Sequence, residues 1–280
     1  MAGTLTHAPN GFSTDLASEL ANLIIAAYNQ YKAPIGVASR WPLSSPYEVI
    51  APFSARLPFR DTETFGFVAR RSDTGDVYIV FRGTESPEDW LINVEVRQIP
   101  QQPNWGSVED GFADVYSQCT GTIRSALRGL TPRQVLVTGH SLGGALATLC
   151  AVDIKSALDI TPVLYTFASP RVGDPPFAQR FNAEFPTTWR VVNTEDLITN
   201  VPPSTSALDA RHPEFLPWLF GLLARVPLIS TWVRHRVGWT QLWRSNDLYE
   251  HVGTPVDFTK NNGTVLANHQ MSTYLAAIGG

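Results

Sequence analysis

The chain has 280 residues, 44% of them hydrophobic, enough to bury one substantial core, so a single domain over residues 1–280 is expected. Its formal net charge is −4 and no cluster of Lys and Arg forms a basic footprint, which argues against nucleic acid as a partner. Its two cysteines, Cys119 and Cys150, lack C-x-x-C or Cys/His spacing, so they read as buried free thiols, and neither a metal nor a cofactor is expected.

Met1 to Ser13 shows no basic region followed by an apolar run, so no secretory leader is expected in this stretch. That leaves a cytoplasmic protein, or a secreted one without its leader. Thr14 to Tyr31 places Leu16, Leu20, Leu23, Ile24 and Ala27 on one helical face, with Ser13 or Thr14 as the cap. Phe65 to Arg71 and Asp76 to Phe81 are β-branched and aromatic runs around the turn sequence Ser72-Asp-Thr-Gly75, and predict a hairpin. Ser86-Pro87-Glu88-Asp89 reads as a helix start, with Trp90, Leu91 and Val94 as the apolar edge of a short amphipathic helix over about 85–96.

From Glu109 the pattern alternates. A helix carrying Val115, Cys119, Ile123 and Leu127 precedes a buried strand at Gln134 to Thr138, followed by a helix from Gly143 to about Leu158. A strand at Val163 to Ala168, a helix capped by Asp174, and a strand near Arg190 to Val192 follow. Such alternation implies βαβ units and a mostly parallel sheet with helices on both faces. Residues from about 204 to 249 break the rhythm with four tryptophans, three prolines and five arginines, and read as an insertion. This insertion is compatible with a lipid-interface patch or with a cap packed on the body. The longest apolar stretch, Phe215 to Ala224, contains Pro217 and is too short to cross a bilayer. A last helix is predicted from Asn268 to Ile278.

The chemistry centres on Gly139-His140-Ser141-Leu142-Gly143. G-x-S-x-G alone is a weak signal, but here it follows an apolar strand directly and opens a helix that is apolar nearly all round. Strand, sharp turn and helix in that order lift a serine hydroxyl clear of the backbone above a sheet. Ser141 is therefore the candidate nucleophile, with Gly139 and Gly143 leaving room where strand and helix cross. The competing reading is a glycine-rich turn with Ser141 as an ordinary helix cap.

Val80-Phe-Arg-Gly-Thr84, Gly139-His-Ser-Leu-Gly-Gly-Ala-Leu-Ala147, Phe167-Ala-Ser-Pro-Arg-Val-Gly-Asp174 and Asn268-His269 with Tyr274 together resemble the class 3, fungal-type triacylglycerol lipase family. The resemblance covers about residues 65–201 and the C-terminal helix. It implies an α/β-hydrolase fold with a helical lid and ester hydrolysis through an acyl-enzyme. A serine needs an imidazole to take its proton and a carboxylate to orient that imidazole, in the chain order Ser, Asp, His. Four of the six histidines, His212, His235, His251 and His269, follow Ser141. His269 matches the family's catalytic histidine, with His251 as its rival. Asp196, just past a strand, resembles the family's acid, with Glu195 as the adjacent alternative. For the oxyanion, Leu142 supplies the backbone N–H after the nucleophile, and the end of Val-Phe-Arg-Gly-Thr84, together with the resemblance, points to Thr84 as the second donor. The helix bearing Trp90, Leu91 and Val94 resembles the family's lid, which would control substrate access and activate the enzyme at a lipid interface.

Three functions fit this reading: a triacylglycerol lipase, in transient contact with a lipid surface; a feruloyl-type or general carboxylesterase on the same scaffold; and a non-catalytic lipid-binding hydrolase fold.

Overall fold

The computed structural model describes residues 5–6, 8–33, 43–57, 61–85, 97–202 and 249–279. Both the lid segment with Trp90, Leu91 and Val94 and the insertion, apart from Tyr249, lie outside the described residues, as do His212 and His235.

The first helix, α1 (Thr14–Lys32), is capped by the Ser13 hydroxyl, which accepts the Leu16 N–H at 3.2 Å. Its face of Leu20, Leu23, Ile24 and Ala27 is buried. The helix is pinned to the sheet by Glu19, whose carboxylate accepts from the hydroxyls of Tyr47 and Tyr78 and from the Arg71 guanidinium.

Three antiparallel strands follow: β1 (Tyr47–Arg56), β2 (Thr62–Arg71) and β3 (Val77–Phe81). The hairpin predicted from the sequence is β2–β3. β1 carries Pro52, which removes one donor from any ladder; such a strand is tolerated at a sheet edge, and β1 is the edge. Next come β4 (Gln98–Pro100) and β5 (Ser107–Glu109), a small two-stranded sheet, and α2 (Asp110–Leu127).

The parallel half is built from β6 (Val135–His140), α3 (Leu142–Leu158), β7 (Val163–Phe167), α4 (Pro175–Glu184) and β8 (Thr188–Asn193). A short 3₁₀ turn (Leu197–Asn200), β9 (Thr254–Phe258), α5 (Val265–His269) and α6 (Met271–Ile278) complete the described elements. The main sheet runs β1-β2-β3-β6-β7-β8-β9, parallel from β3 onward. β9 contains Pro255 and lies at the other end of the order; no sequence period announced it.

Every residue of β3 and β6 is buried, because helices cover both faces. On one face α2, α3 and α4 pack through Phe112, Ile123, Leu146, Val152 and Phe181; on the other, α1 and α6 pack through Leu20, Ile24, Tyr274 and Ile278. Burying each large apolar side chain of these layers contributes about 1.5–3 kcal/mol. Cys119 and Cys150 are both buried free thiols. The architecture is an α/β-hydrolase fold.

One predicted element divides. The C-terminal helix breaks at Gln270, which is extended at ψ 139°. Side chains take over two carbonyls of the turn at the break: the Thr273 hydroxyl donates to Ala267 O, and the His140 ring, 129 positions away, to His269 O.

Candidate active site

Ser141 sits between β6 and α3 with φ 57° and ψ −129°, a conformation L-residues rarely adopt and one that stores strain. The backbone holds it there: its N–H donates to Phe167 O at 3.0 Å and its carbonyl accepts the Gly144 N–H at 2.8 Å. Its hydroxyl makes no capping bond, which removes the ordinary-cap reading. Two glycines permit the turn by close approach. A Cβ on Gly139 would lie 2.1 Å from Gly143 O, at the strand–helix crossing, as expected from the sequence. A Cβ on Gly143 would instead meet Arg82 O at 2.5 Å, so that residue makes room for the end of β3.

That end of β3 carries the next group. Arg82 is fully buried, ion-paired with Glu63 at 2.8 Å and lying over the ring of Tyr31 at 3.8 Å; it also donates to Gly83 O at 2.5 Å. Gly83 abuts the candidate nucleophile, since a Cβ there would lie 2.8 Å from Ser141 Cβ. Thr84 is the following residue, buried, with its hydroxyl unpaired. Leu142, also buried, opens α3, where first-turn amides lack partners within the helix and the dipole favours negative charge.

Asp196 and His269 meet in the interior, 0% and 2% exposed, with His269 Nδ1 2.7 Å from Asp196 Oδ2. A carboxylate accepts only, so Nδ1 carries a proton, and in the neutral ring Nε2 is the nitrogen with a lone pair. The same carboxylate accepts the Tyr274 hydroxyl at 2.7 Å and, through Oδ1, the Ile198 N–H at 3.1 Å. Burial and the neighbouring Asp196 charge hold the Tyr274 phenol well above its ordinary pKa, so it remains a donor.

Asn193 and Asn268 stitch the two loops together. The Asn193 amide donates to Lys260 O and Asn268 O, at 2.8 and 3.1 Å, and the Asn268 amide donates to Glu195 O at 3.0 Å. Sequence reasoning assigns no role to Tyr274, Asn193 or Asn268. The signal for the asparagines is polar residues at a strand end and in a helical turn, where only a fixed bond makes them useful.

Both rivals stand elsewhere. Glu195 turns outward to Asn261 Nδ2, 3.0 Å away. His251 has no carboxylate bonded to its ring; burial, then Arg190 and Arg171, hold its pKa well below the ordinary histidine value. Asp174 caps α4, accepting the Phe177 N–H at 2.8 Å, as its place before Pro175 predicted.

Three of the site's buried polar atoms have no hydrogen-bond partner among the described residues, Ser141 Oγ, His269 Nε2 and Thr84 Oγ1; elsewhere Trp189 Nε1, Arg190 Nε and His251 Nδ1 are also unpaired. Folded proteins rarely leave such atoms unpaired, because each costs about 1–3 kcal/mol. Among the described residues no group of three His, Cys, Asp or Glu could hold a metal, and no helix is long and apolar enough to cross a membrane.

Comparison with known proteins bears on the same elements. The sequence profile of lipase (class 3) matches residues 78–206, from β3 through the loop that carries Asp196. A lipase of Rhizomucor miehei is 35% identical over 151 residues, covering 51% of this chain and 42% of the relative. Phospholipase A(1) DAD1, chloroplastic, of Arabidopsis thaliana is 28% identical over 250 residues, covering 79% of this chain and 52% of the relative. The chain thus spans about half the length of these relatives. Among solved structures, a triacylglycerol lipase whose catalytic centre is formed by a serine protease triad superposes with a TM-score of 0.57 at 29% identity, covering 69% of this chain and 76% of that one. Lipase II of Rhizopus niveus superposes with a TM-score of 0.56 at 26% identity, covering 69% and 77%. The profile lies across the strand, turn and loops that build the site, and over residues 78–206 the chain is similar to class 3 lipases.

Proposed function

We propose that this protein is a serine ester hydrolase acting on lipid esters, with acylglycerols as its substrate class. The observation that carries the reading is the set of buried, unpaired atoms Ser141 Oγ, His269 Nε2 and Thr84 Oγ1 beside an Asp196–His269 bond. Ser141 Oγ attacks the ester carbonyl while His269 Nε2 takes its proton, and Asp196 holds the imidazole in the required tautomer and stabilises its positive charge. The negative charge on the former carbonyl oxygen is met by the N–H of Leu142 and by Thr84, which offers N–H and hydroxyl. His269 then protonates the departing alcohol, and water, activated by the same imidazole, releases the acid.

Several relatives are named lipases, and one a secreted mono- and diacylglycerol lipase, which supports an acylglycerol substrate. A phospholipid substrate is the second reading, favoured by the greater span of the alignment to a phospholipase A(1). An ester panel of tributyrin, triolein, phosphatidylcholine and methyl ferulate, run on wild type and Ser141→Ala, tests both. Turnover of acylglycerols that vanishes in the variant is expected. Preference for methyl ferulate would replace the lipid reading with the feruloyl-type one, and equal activity in the variant would overturn the mechanism.

A further inference from the structure

His140 precedes the nucleophile and takes part in none of the catalytic steps, yet it is buried and both its ring nitrogens are engaged. Nε2 lies 2.8 Å from the backbone oxygen of His269, and Nδ1 lies 2.9 Å from the hydroxyl of Tyr28 on α1. The Tyr28 oxygen in turn takes the Gly83 N–H at 3.0 Å.

The direction of every bond in this chain is fixed by chemistry. A backbone carbonyl only accepts, so Nε2 carries a proton and donates to His269 O. Burial, and then the nearby His269, push the His140 pKa well below the ordinary value, so the ring is neutral and Nδ1 can only accept. Tyr28 must then donate to Nδ1, and burial, raising the phenol's pKa, keeps that proton in place. Its oxygen is left to accept from Gly83, whose N–H can only donate. The result is a one-way chain: Gly83 N–H to Tyr28 O–H to His140 to His269 O.

We propose that Tyr28 is a positioning residue that, through His140, ties the oxyanion-side loop at Gly83–Thr84 to the backbone of the base His269, and fixes His140 as the neutral Nε2–H tautomer. This rests on the hydrolase reading of Ser141. One end holds the residue preceding Thr84; the other holds the residue whose Nε2 must reach Ser141. Both sides are tight, because a Cβ on Gly83 would meet Tyr28 Oη at 2.7 Å and His140 O at 2.8 Å. Neutrality matters as well. The His140 and His269 rings lie 4.8 Å apart, so a charged His140 would oppose the imidazolium that forms on His269.

Tyr28→Phe removes one hydroxyl, leaving the Gly83 N–H and His140 Nδ1 without partners. Misplacing a reacting group by about an ångström costs up to roughly 10²-fold in rate, so kcat on p-nitrophenyl butyrate should fall about 10- to 100-fold with KM within about twofold. The rate is expressed per active site titrated with a fluorophosphonate, which separates misplacement from a smaller folded fraction. A Tyr28→Phe protein with wild-type kcat per labelled site, whatever its melting temperature, overturns the positioning role while leaving the hydrolase reading intact. Wild type that neither labels nor hydrolyses the ester overturns the hydrolase reading, and this inference with it. A second measurement needs no variant: ¹⁵N-histidine spectra of wild type at pH 7 should show His140 as the neutral Nε2–H tautomer. An Nδ1–H tautomer or an imidazolium there reverses the chain and overturns the proposal, even if Tyr28→Phe does not fold.

Discussion

Replacing Asp196 by Asn keeps the shape of the side chain and removes its charge, and the three bonds around the carboxylate set the cost. Oδ2 takes His269 Nδ1 and the Tyr274 hydroxyl, each at 2.7 Å, and Oδ1 takes the Ile198 N–H at 3.1 Å. An amide has an oxygen on one side only. With that oxygen toward His269 and Tyr274, two bonds survive and the NH₂ faces the Ile198 N–H, which loses its partner at a cost of about 1–3 kcal/mol in stability. With the amide reversed, one bond survives and His269 is driven into the tautomer that cannot accept a proton from Ser141. The first orientation wins by count. His269 then keeps its tautomer but loses the anion that stabilises its developing charge. For charges about 4 Å apart at an effective dielectric near 20, that attraction is about 4 kcal/mol, which at 1.36 kcal/mol per tenfold is a fall in kcat of roughly 10³. Any population of the reversed orientation takes the loss toward roughly 10⁴. The assay is kcat on p-nitrophenyl butyrate, with chemical denaturation confirming a folded variant that has lost about 1–3 kcal/mol. A folded Asp196→Asn enzyme within tenfold of wild type would refute the assignment of Asp196 as the orienting acid.

Thr84→Val removes the unpaired hydroxyl and keeps the backbone N–H; kcat should fall roughly 10²- to 10³-fold with KM little changed, and Thr84→Ser should restore most of it. An unchanged kcat in Thr84→Val leaves only the N–H in that role. The neutral, buried His140 ties stability to pH. Its folded pKa lies well below 6.5, so only the unfolded chain takes up a proton there as pH falls below about 6.5. Its contribution is fully present above that value and is lost below it, by up to about 1.4 kcal/mol per pH unit. Urea unfolding from pH 8 to 5 should show it, and His140→Gln should reduce the slope between pH 6.5 and 5, leaving the part that buried His251 contributes in the same direction. Ser141 is 0% exposed, and the proposed acylglycerol substrate would reach Oγ most readily at a lipid surface. If the proposed interface contact activates the enzyme, tributyrin hydrolysis should jump as substrate passes its solubility limit, and a smooth saturation curve would count against that.

The part of the site most legible in the sequence is the part that sterics writes locally. Gly139 must lack a Cβ to let α3 cross β6, and that need appears as fixed spacing around Ser141. The same holds for Asp174, whose capping role follows from the proline after it. What the sequence concealed depends on long-range pairing. Tyr274 bonds to Asp196 across 78 positions and Tyr28 to His140 across 112; Tyr274 stands out in the resemblance but without a role, and no local pattern distinguishes Tyr28 from ordinary helix residues. The edge strands β1 and β9 were hidden by Pro52 and Pro255, since proline argues against a strand unless its place at an edge is already known. The break at Gln270 was hidden because no Gly or Pro marks it, while the apolar period of Met271, Leu275 and Ile278 begins only after it.

The central claim is that Ser141 is a nucleophile activated by His269, and covalent labelling tests it most directly. Wild type treated with a fluorophosphonate should gain one adduct per chain, mapped by peptide mass spectrometry to the peptide carrying Ser141, and lose ester hydrolysis in step with labelling. Ser141→Ala should gain none. Absence of the adduct from wild type presented with an open interface, or an adduct at another residue that alone abolishes activity, would contradict the account.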